Sequence, residues 1–137
     1  MTLALDAAVK QARSTAIFNA INAGAGPGLI KFYSAPRPVT GAEPTGTLLG
    51  TITLTDPCGT VDNVGLHLVA EAVTQAIAGG VITWARVTDS ADNFVFDGDV
   101  RDASAPDIAI ADFLIDSQVV YAGGFLVLAS AVLAEGG

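Results

Sequence analysis

The spacing of apolar residues changes once along the chain, from a helical period to a strand-like period. A helical repeat over about residues 3–22 predicts one amphipathic helix. Thr2 is a suitable N-cap for this helix, with Asp6 near its first turn. The glycine- and proline-rich run 22–28 then ends the helix. The residues that form the repeat are Leu5, Val9, Ile17 and Ile21.

Alternating apolar and polar positions after Gly28 predict about seven short strands separated by turn signals. The clearest pairing is a hairpin in which 81–88 and 93–100 flank a turn at 89–92. Segment 70–78 has mixed propensities, so a helical turn is an alternative there. The predicted strands are 29–34, 47–55, 64–74, 81–88, 93–100, 107–115 and 125–133.

Short strands divided by frequent turns are typical of an antiparallel β-sandwich or jelly roll. We therefore predict a mainly β fold with one N-terminal α-helix, in a single domain covering residues 1–137. The helix and its stop occupy 1–24, and the β-sandwich occupies 29–134. Within the sandwich, the turn signal Asp56-Pro57 is expected to end the second strand.

The last predicted strand is apolar on both faces, whereas an exposed antiparallel strand normally has one polar face. Alternation places Phe125, Val127, Ala129, Ala131 and Leu133 on one face, and Leu126, Leu128, Ser130 and Val132 on the other. Two explanations remain open. Either the strand is central and covered, for example by the N-terminal helix, or it docks on another subunit. The candidate interface residues are Phe125, Leu126, Val127, Leu128, Val132 and Leu133.

The composition is unusually apolar, and burial of the excess apolar surface in contacts with other proteins is the favoured explanation. Apolar residues make up 51% of the chain, charged residues 15%, and mean hydropathy is +0.54. Such a chain is too apolar for disorder. Its longest apolar run, 125–133, is far short of the roughly 18 residues that a membrane span needs. For this reason we expect no membrane partner, and because the N-terminus lacks the basic and apolar regions of a secretory signal, we expect no such signal either.

The formal net charge of −8 disfavours nucleic acid as a partner, because an acidic surface repels phosphates. A single cysteine, Cys58, excludes an internal disulfide and is consistent with folding in a reducing cytoplasm.

No catalytic, cofactor-binding or metal site is predicted. The chain has one histidine, His67, and we expect it to face solvent, with Cys58 in a turn and no nucleophile–base pair evident. Several aspartates crowd into 89–107, and turn hydrogen bonding accounts for them better than a carboxylate pair in a hydrolase. Asp97 and Asp99 are expected to face solvent. A stabilising calcium ion near Asp89 and Asp92 stays open. The aspartates are Asp89, Asp92, Asp97, Asp99, Asp102 and Asp107.

Aromatic residues offer one alternative function. Trp84 and Ile82 are expected in the core, as is usual for an aromatic between apolar neighbours. In a carbohydrate-binding sandwich, by contrast, Tyr33, Trp84 or Tyr121 would serve as a stacking platform.

Three stretches together resemble small virion proteins encoded in the structural modules of tailed bacteriophages and prophages. They are 29–34 with 36–38 and 44–57, then 82–90 running into 95–100, and finally 107–113 with 119–124. The match covers roughly residues 14–133. It implies a β-sandwich without an active site that decorates or cements the phage head, or else belongs to the tail or baseplate.

The expected function is therefore that of a capsid decoration (cement) protein, a structural protein rather than an enzyme. Its partner would be the major capsid protein, and its place the outer head surface of the virion, after synthesis in the host cytoplasm. Because closed symmetric oligomers commonly hide apolar patches, we also expect a homo-oligomer, a dimer or trimer. The alternatives are a tail or baseplate component, the carbohydrate-binding sandwich and, last, the aspartate hydrolase.

Overall fold

The computed structural model describes residues 6–61, 65–102 and 113–134. These residues form one helix and eleven strands, and the fold is mainly β, with 48% strand. In chain order the elements are α1 (Ala7–Ile21), β1 (Leu29–Tyr33), β2 (Leu48–Val61), β3 (Gly65–Ala70), β4 (Thr74–Gln75), β5 (Gly80–Val81), β6 (Trp84–Thr88), β7 (Phe94–Asp102), β8 (Phe113–Ile115), β9 (Val119–Val120), β10 (Phe125–Leu126) and β11 (Leu128–Ala134). The predicted mainly β fold with one helix is confirmed.

The N-terminal helix is confirmed, but it begins later than predicted. Its N-cap is Asp6, whose carboxylate accepts a hydrogen bond from the Ala8 backbone N–H at 3.1 Å. The proposed cap Thr2 lies outside the described residues. Val9 is 47% exposed whereas Ile21 is fully buried, so the C-terminal part of the helix docks on the strands. It packs mainly against β2, β3 and β7.

Seven strands close into a barrel in the order β1-β2-β3-β11-β8-β7-β6, with β6 pairing back to β1. The β7–β8 pair is parallel and the other pairs of the barrel are antiparallel. The predicted two-sheet antiparallel sandwich or jelly roll is not confirmed. Closure removes the open sheet edges that a sandwich would leave, because every barrel strand has a neighbour on both sides.

The barrel interior is filled by the inward side chains of its strands, and Ile21 from the helix joins the same cluster. In β6 the inward residues Ala85 and Val87 are buried, and so are Trp84 and Thr88 on the opposite face. In β1 burial alternates, with Ile30 and Phe32 buried. Period-two burial of this kind is the expected signature of a strand with one face in the core.

β2 is longer than predicted. It continues through the cis peptide bond Asp56–Pro57 and is irregular between Leu54 and Gly59 in its pairing with β3. A Cβ at Gly59 would lie 1.8 Å from the carbonyl oxygen of His67, so only glycine permits this close approach of the two backbones. The predicted turn is therefore an irregularity inside a paired strand.

The hairpin prediction is confirmed, since β6 and β7 pair antiparallel across the turn at 89–93. The predicted strand 81–88 is divided between β5 and β6. Segment 70–78 contains the short strand β4 and no helix, and both ends of that segment lie among the described residues. Of the predicted strand 107–115, residues 113–115 form β8, and 107–112 lie outside the described residues.

The last predicted strand is divided into β10 and β11, and the pairing of β11 with β8 shifts register between Leu128 and Ser130. The shift breaks the predicted alternation: Phe125 is 74% exposed, while Ala131, expected on the same face, is buried. β11 is hydrogen-bonded to β3 on one side and β8 on the other, so it is a central strand. Among the described residues, no helix is long and apolar enough to span a membrane.

Candidate functional site

Two segments that sequence reasoning treated separately form one irregular ribbon. Residues 73–82 and 118–126 run antiparallel through the β4–β10 and β5–β9 pairs. Between and beyond these pairs, the backbone N–H of Ala76 donates to the carbonyl of Gly124 at 2.8 Å, and that of Ile82 to Gln118 at 2.7 Å. The ribbon lies against β2, where the Ile77 N–H donates to the carbonyl of Leu49 at 2.8 Å. We call residues 73–82 and 118–126 the apolar ribbon.

The apolar ribbon has two apolar faces. Its inner residues Ala76, Ile82, Val120 and Leu126 are buried in the core of the protein. Its outer face exposes large apolar side chains, namely Val73, Ile77, Val81, Val119, Tyr121 and Phe125. Neither segment contains a charged residue, although the chain carries a net charge of −8. A solvent-facing ribbon normally has one polar face, so this outer face is suited to contact with another molecule.

The candidate interface residues from the last strand fall in different environments. Phe125 lies on the outer face of the ribbon, but Leu126 is only 1% exposed and belongs to the core. Val127 and Leu128 are half-buried. The side chains of Val132 and Leu133 lie outside what the structure describes, and their backbones pair with His67 and Leu66 of β3. An interface role for Leu126 is therefore withdrawn.

Sequence reasoning did not identify Val73, Ile77 and Val81 as surface residues of one ribbon. They recur every four residues, as on one face of a helix, and the Gly79-Gly80 pair interrupts the strand pattern between them. The signals available in the sequence were the apolar residues in both segments and the absence of charged residues between Val73 and Ile82.

A second feature lies on the outer face of β1, β6 and β7. Residues 34–47 cross this face as an irregular segment, which we call the strap. Its ends are joined by two hydrogen bonds of 3.1 Å. The backbone N–H of Ser34 donates to the carbonyl of Thr47, and the backbone N–H of Thr47 donates to the hydroxyl of Ser34. Its middle is attached by the Arg86 guanidinium, which donates to the Ala42 carbonyl at 2.8 Å, and by the Gly41 N–H, which donates to Asp97 at 3.3 Å.

Trp84 is fully buried, as predicted, but it lies on the outer face of β6 and not in the cluster that fills the barrel. It alternates with the core residues Ala85 and Val87 and so points outward from β6. Its ring stacks on Tyr33 with centroids 4.6 Å apart and 14° between the planes. The Arg86 guanidinium lies 5.4 Å from its ring centroid. A buried ring cannot serve as an open stacking platform.

Arg86 and Asp97 form a bidentate ion pair on the hairpin. Nε and Nη2 of Arg86 lie 2.7 and 3.1 Å from the two carboxylate oxygens of Asp97. The Asp97 side chain is 2% exposed, which corrects the expectation that it faces solvent with Asp99. Hydrogen bonding to Asp97 raises the pKa of Arg86 further, so the guanidinium stays charged.

A cavity of about 250 Å³ opens between the strap and the strands. Lys31 and Tyr33 of β1 and Arg86 and Thr88 of β6 contribute to its lining, together with Glu43 from the strap. The Thr88 hydroxyl is buried and has no hydrogen-bond partner among the described residues. Asn22 Nδ2 and Trp84 Nε1 are likewise buried without a partner there, whereas buried polar groups are normally paired.

The remaining aspartates act in turns and surface ion pairs. The Asp89 carboxylate accepts hydrogen bonds from the backbone N–H of Ala91 and from the backbone and side chain of Asn93, at 2.9 to 3.0 Å. These bonds, first those from Asn93, lower the pKa of Asp89. Asp92 pairs with Lys31. Asp107 and the Asp102 side chain lie outside what the structure describes, and Asp99 is 3.5 Å from Arg37.

Across the described ranges, no group of three or more histidine, cysteine or acidic side chains could hold a metal ion. Cys58 is buried in β2 and not in an exposed turn, and its backbone N–H donates to the side chain of Asn22 at 3.0 Å. Desolvation raises the pKa of the Cys58 thiol to about 11, which keeps it protonated. His67 is half-buried on β3, where it was expected to face solvent.

Comparison of the chain with protein-family models, with curated proteins and with solved structures finds no significant match.

Proposed function

We propose that this chain is a non-catalytic structural protein of a tailed-bacteriophage virion, and that it decorates the outer head surface by binding the major capsid protein. The observation that carries the proposal is the outer face of the apolar ribbon, which exposes six large apolar side chains on two segments that contain no charged residue. The resemblance of the strand segments to small virion proteins supplies the biological setting.

The physical chemistry of the ribbon supports protein docking. The three most exposed large apolar side chains of the ribbon are Phe125, Tyr121 and Ile77, at 74%, 72% and 66%. Burial of each against a partner would contribute about 1.5–3 kcal/mol, and several together suffice for a specific interface. The partner surface must itself be apolar, because a charge buried there would meet no counter-charge on the ribbon.

The charge of the rest of the chain supports a position on the outside of the head. With a net charge of −8, the protein is repelled by packaged DNA, while the uncharged ribbon avoids repulsion from an acidic capsid surface.

A binding experiment with matched variants tests the docking surface. Phe125→Asp and Ile77→Asp should each weaken binding to heads that lack this chain by tenfold or more, measured by co-sedimentation. Val39→Asp is the control, because Val39 is 83% exposed but lies on the strap. Its binding should stay within twofold of wild type. Equal binding by all three variants would remove the ribbon as the docking surface.

Mass spectrometry of purified particles from the phage or induced prophage tests the location. A copy number equal to that of the major capsid protein, or a simple fraction of it, is expected for head decoration. A small fixed number per particle would instead indicate the tail or baseplate, and absence from the particle would refute a virion role.

If sedimentation shows that the free chain is a dimer or trimer and Phe125→Asp dissociates it, the ribbon binds a second copy.

A further inference from the structure

The strap is attached to the barrel by polar contacts and adds no side chain to the hydrophobic core. None of its residues, 34–47, is buried, and none belongs to the core cluster. Its one large aliphatic side chain, Val39, is 83% exposed. Segments with few buried apolar contacts open locally at a lower free energy than the whole fold needs to unfold. We therefore expect the strap to separate from the barrel without unfolding it.

The middle of the strap is held by two hydrogen bonds that end on the same ion pair. Arg86 donates to the Ala42 carbonyl at 2.8 Å, and Asp97 accepts from the Gly41 N–H at 3.3 Å. The second bond is longer than the usual 2.7–3.2 Å range of about 3 Å bonds between N–H and oxygen, so it is weak. Since Arg86 and Asp97 also bind each other, both can stay in place when the strap leaves.

Ala35, at the first end of the strap, has a strained backbone with φ of 68°. In the left-handed region the Cβ of an ordinary residue comes too close to the following carbonyl oxygen, and alanine has no polar side chain to compensate. The Thr83 hydroxyl donates to the Ala35 carbonyl and holds this conformation. Strained backbone that its surroundings hold in place is typical of switch segments. Opening of the strap would release this strain.

Between its ends the strap has a shape of its own, so it can move as one piece. Its three prolines restrict the backbone. A turn is closed by the Ala42 N–H, which donates to the Val39 carbonyl at 2.8 Å, with Gly41 at φ of 79° inside the turn.

The second end of the strap has a glycine where the two chain segments come closest. A Cβ at Gly46 would lie 1.9 Å from the carbonyl oxygen of Ser34, so only glycine fits there. Glycine also has the widest choice of backbone angles, which suits a hinge. Ala35 and Gly46 therefore lie just inside the Ser34–Thr47 hydrogen bonds, which keep the base of the strap closed.

From these observations we propose that the strap is a lid, which opens as one piece about Ala35 and Gly46 while the barrel stays folded. The Arg86–Asp97 pair is the catch that holds it closed. The cavity of about 250 Å³ beneath the strap, to which the lid contributes Glu43, then becomes an open groove on the outer face of β1 and β6. The proposed docking function does not use this lid.

The test is amide hydrogen exchange of the full chain, followed by NMR at several low urea concentrations. The Gly41 and Ala42 amides should exchange through one common opening that urea does not promote, because a local opening exposes little new surface. The amide of Phe32, whose strand is paired on both sides, should be protected about a hundredfold more and should exchange in a urea-dependent way.

Two variants separate the lid from the barrel. Thr83→Val removes the hydroxyl that holds Ala35, and it should raise the opening of the lid about fivefold, the effect of one neutral hydrogen bond. Since Thr83 is exposed, this variant is expected to fold normally. Ile52→Val weakens the barrel core, so it should speed exchange at Phe32 and leave the strap amides unchanged. Thr60→Val, at an exposed threonine of β2, is the matched control for Thr83→Val.

The proposal is overturned if the Gly41 and Ala42 amides show the same urea dependence as Phe32, because the strap would then open only with the barrel. It is equally overturned if the two strap amides differ in their opening by more than about tenfold, which would indicate fraying residue by residue. Exchange of both at the rate of an unstructured peptide would show that the strap is not closed in solution. An unchanged opening in Thr83→Val would remove Ala35 as the hinge.

Discussion

The buried ion pair between Arg86 and Asp97 allows a quantitative prediction about stability. Asp97→Asn keeps the size of the side chain but removes its charge, so the guanidinium loses its counter-ion. Both partners are buried, with 12% of the Arg86 side chain and 2% of the Asp97 side chain exposed, so solvent screens the pair little. The same substitution weakens the hydrogen bond that holds Gly41 of the strap.

The expected cost follows from this geometry. Removal of one partner from a buried pair destabilises proteins by about 3–5 kcal/mol. Arg86 keeps its bond to the Ala42 carbonyl and its contacts with the Trp84 and Phe94 rings, so the cost should lie at the low end, about 3 kcal/mol. Replacement of both partners, as in Arg86→Met with Asp97→Leu, should recover most of this loss, because no charge remains buried.

Urea unfolding followed by circular dichroism measures these differences in the free energy of unfolding. The matched control is Arg37→Gln, which removes the exposed pair between Arg37 and Asp99 and should cost less than about 0.5 kcal/mol. The reasoning is refuted if Asp97→Asn costs no more than Arg37→Gln, or if the double substitution is less stable than Asp97→Asn alone.

Three further predictions concern other parts of the fold. Because the pKa of Asp89 is lowered in the folded state, its contribution to stability is present above about pH 4 and is lost as the pH falls through the folded pKa. The stability difference between wild type and Asp89→Asn should therefore shrink on acidification, as measured by urea unfolding at several pH values. Cys58, with a pKa of about 11 and no solvent exposure, should react with a disulfide reagent at neutral pH only as fast as the protein opens, and at once in denaturant. Gly59→Ala should lower the thermal midpoint sharply, since the added methyl meets the backbone of His67, whereas a scan unchanged from wild type would contradict the close approach of β2 and β3.

Local signals in the sequence predicted the helix and the β6–β7 hairpin correctly. The run from Asn22 to Gly28 ends the helix, and the turn at 89–92 joins strands of suitable composition. Arg86 lies three residues before the turn at 89–92 and Asp97 five residues after it, and a register shift between Val87 and Thr88 brings the two opposite each other. The prediction that Asp97 faces solvent ignored this cross-strand partner.

Barrel closure and the two surface features depend on contacts between distant parts of the chain. Periodicity shows which side of a strand is apolar, but it does not show that β1 pairs with β6 or that β11 lies between β3 and β8. Trp84 had the alternation of a core residue, and its contacts on the outer face are the stacked ring of Tyr33 and the guanidinium of Arg86. A composition typical of a loop gave no indication that residues 34–47 cover a sheet.

The central position of β11 has a consequence for synthesis of the protein. Its neighbours β3 and β8 leave the ribosome first, and until residues 128–134 follow, each of them lacks one hydrogen-bonding partner. A nascent chain in this state exposes strand edges that can pair with other chains, so overproduction should favour aggregation over folding during translation. Slower translation at low temperature limits how many such chains coexist, and it should raise the yield of folded protein more than later refolding does.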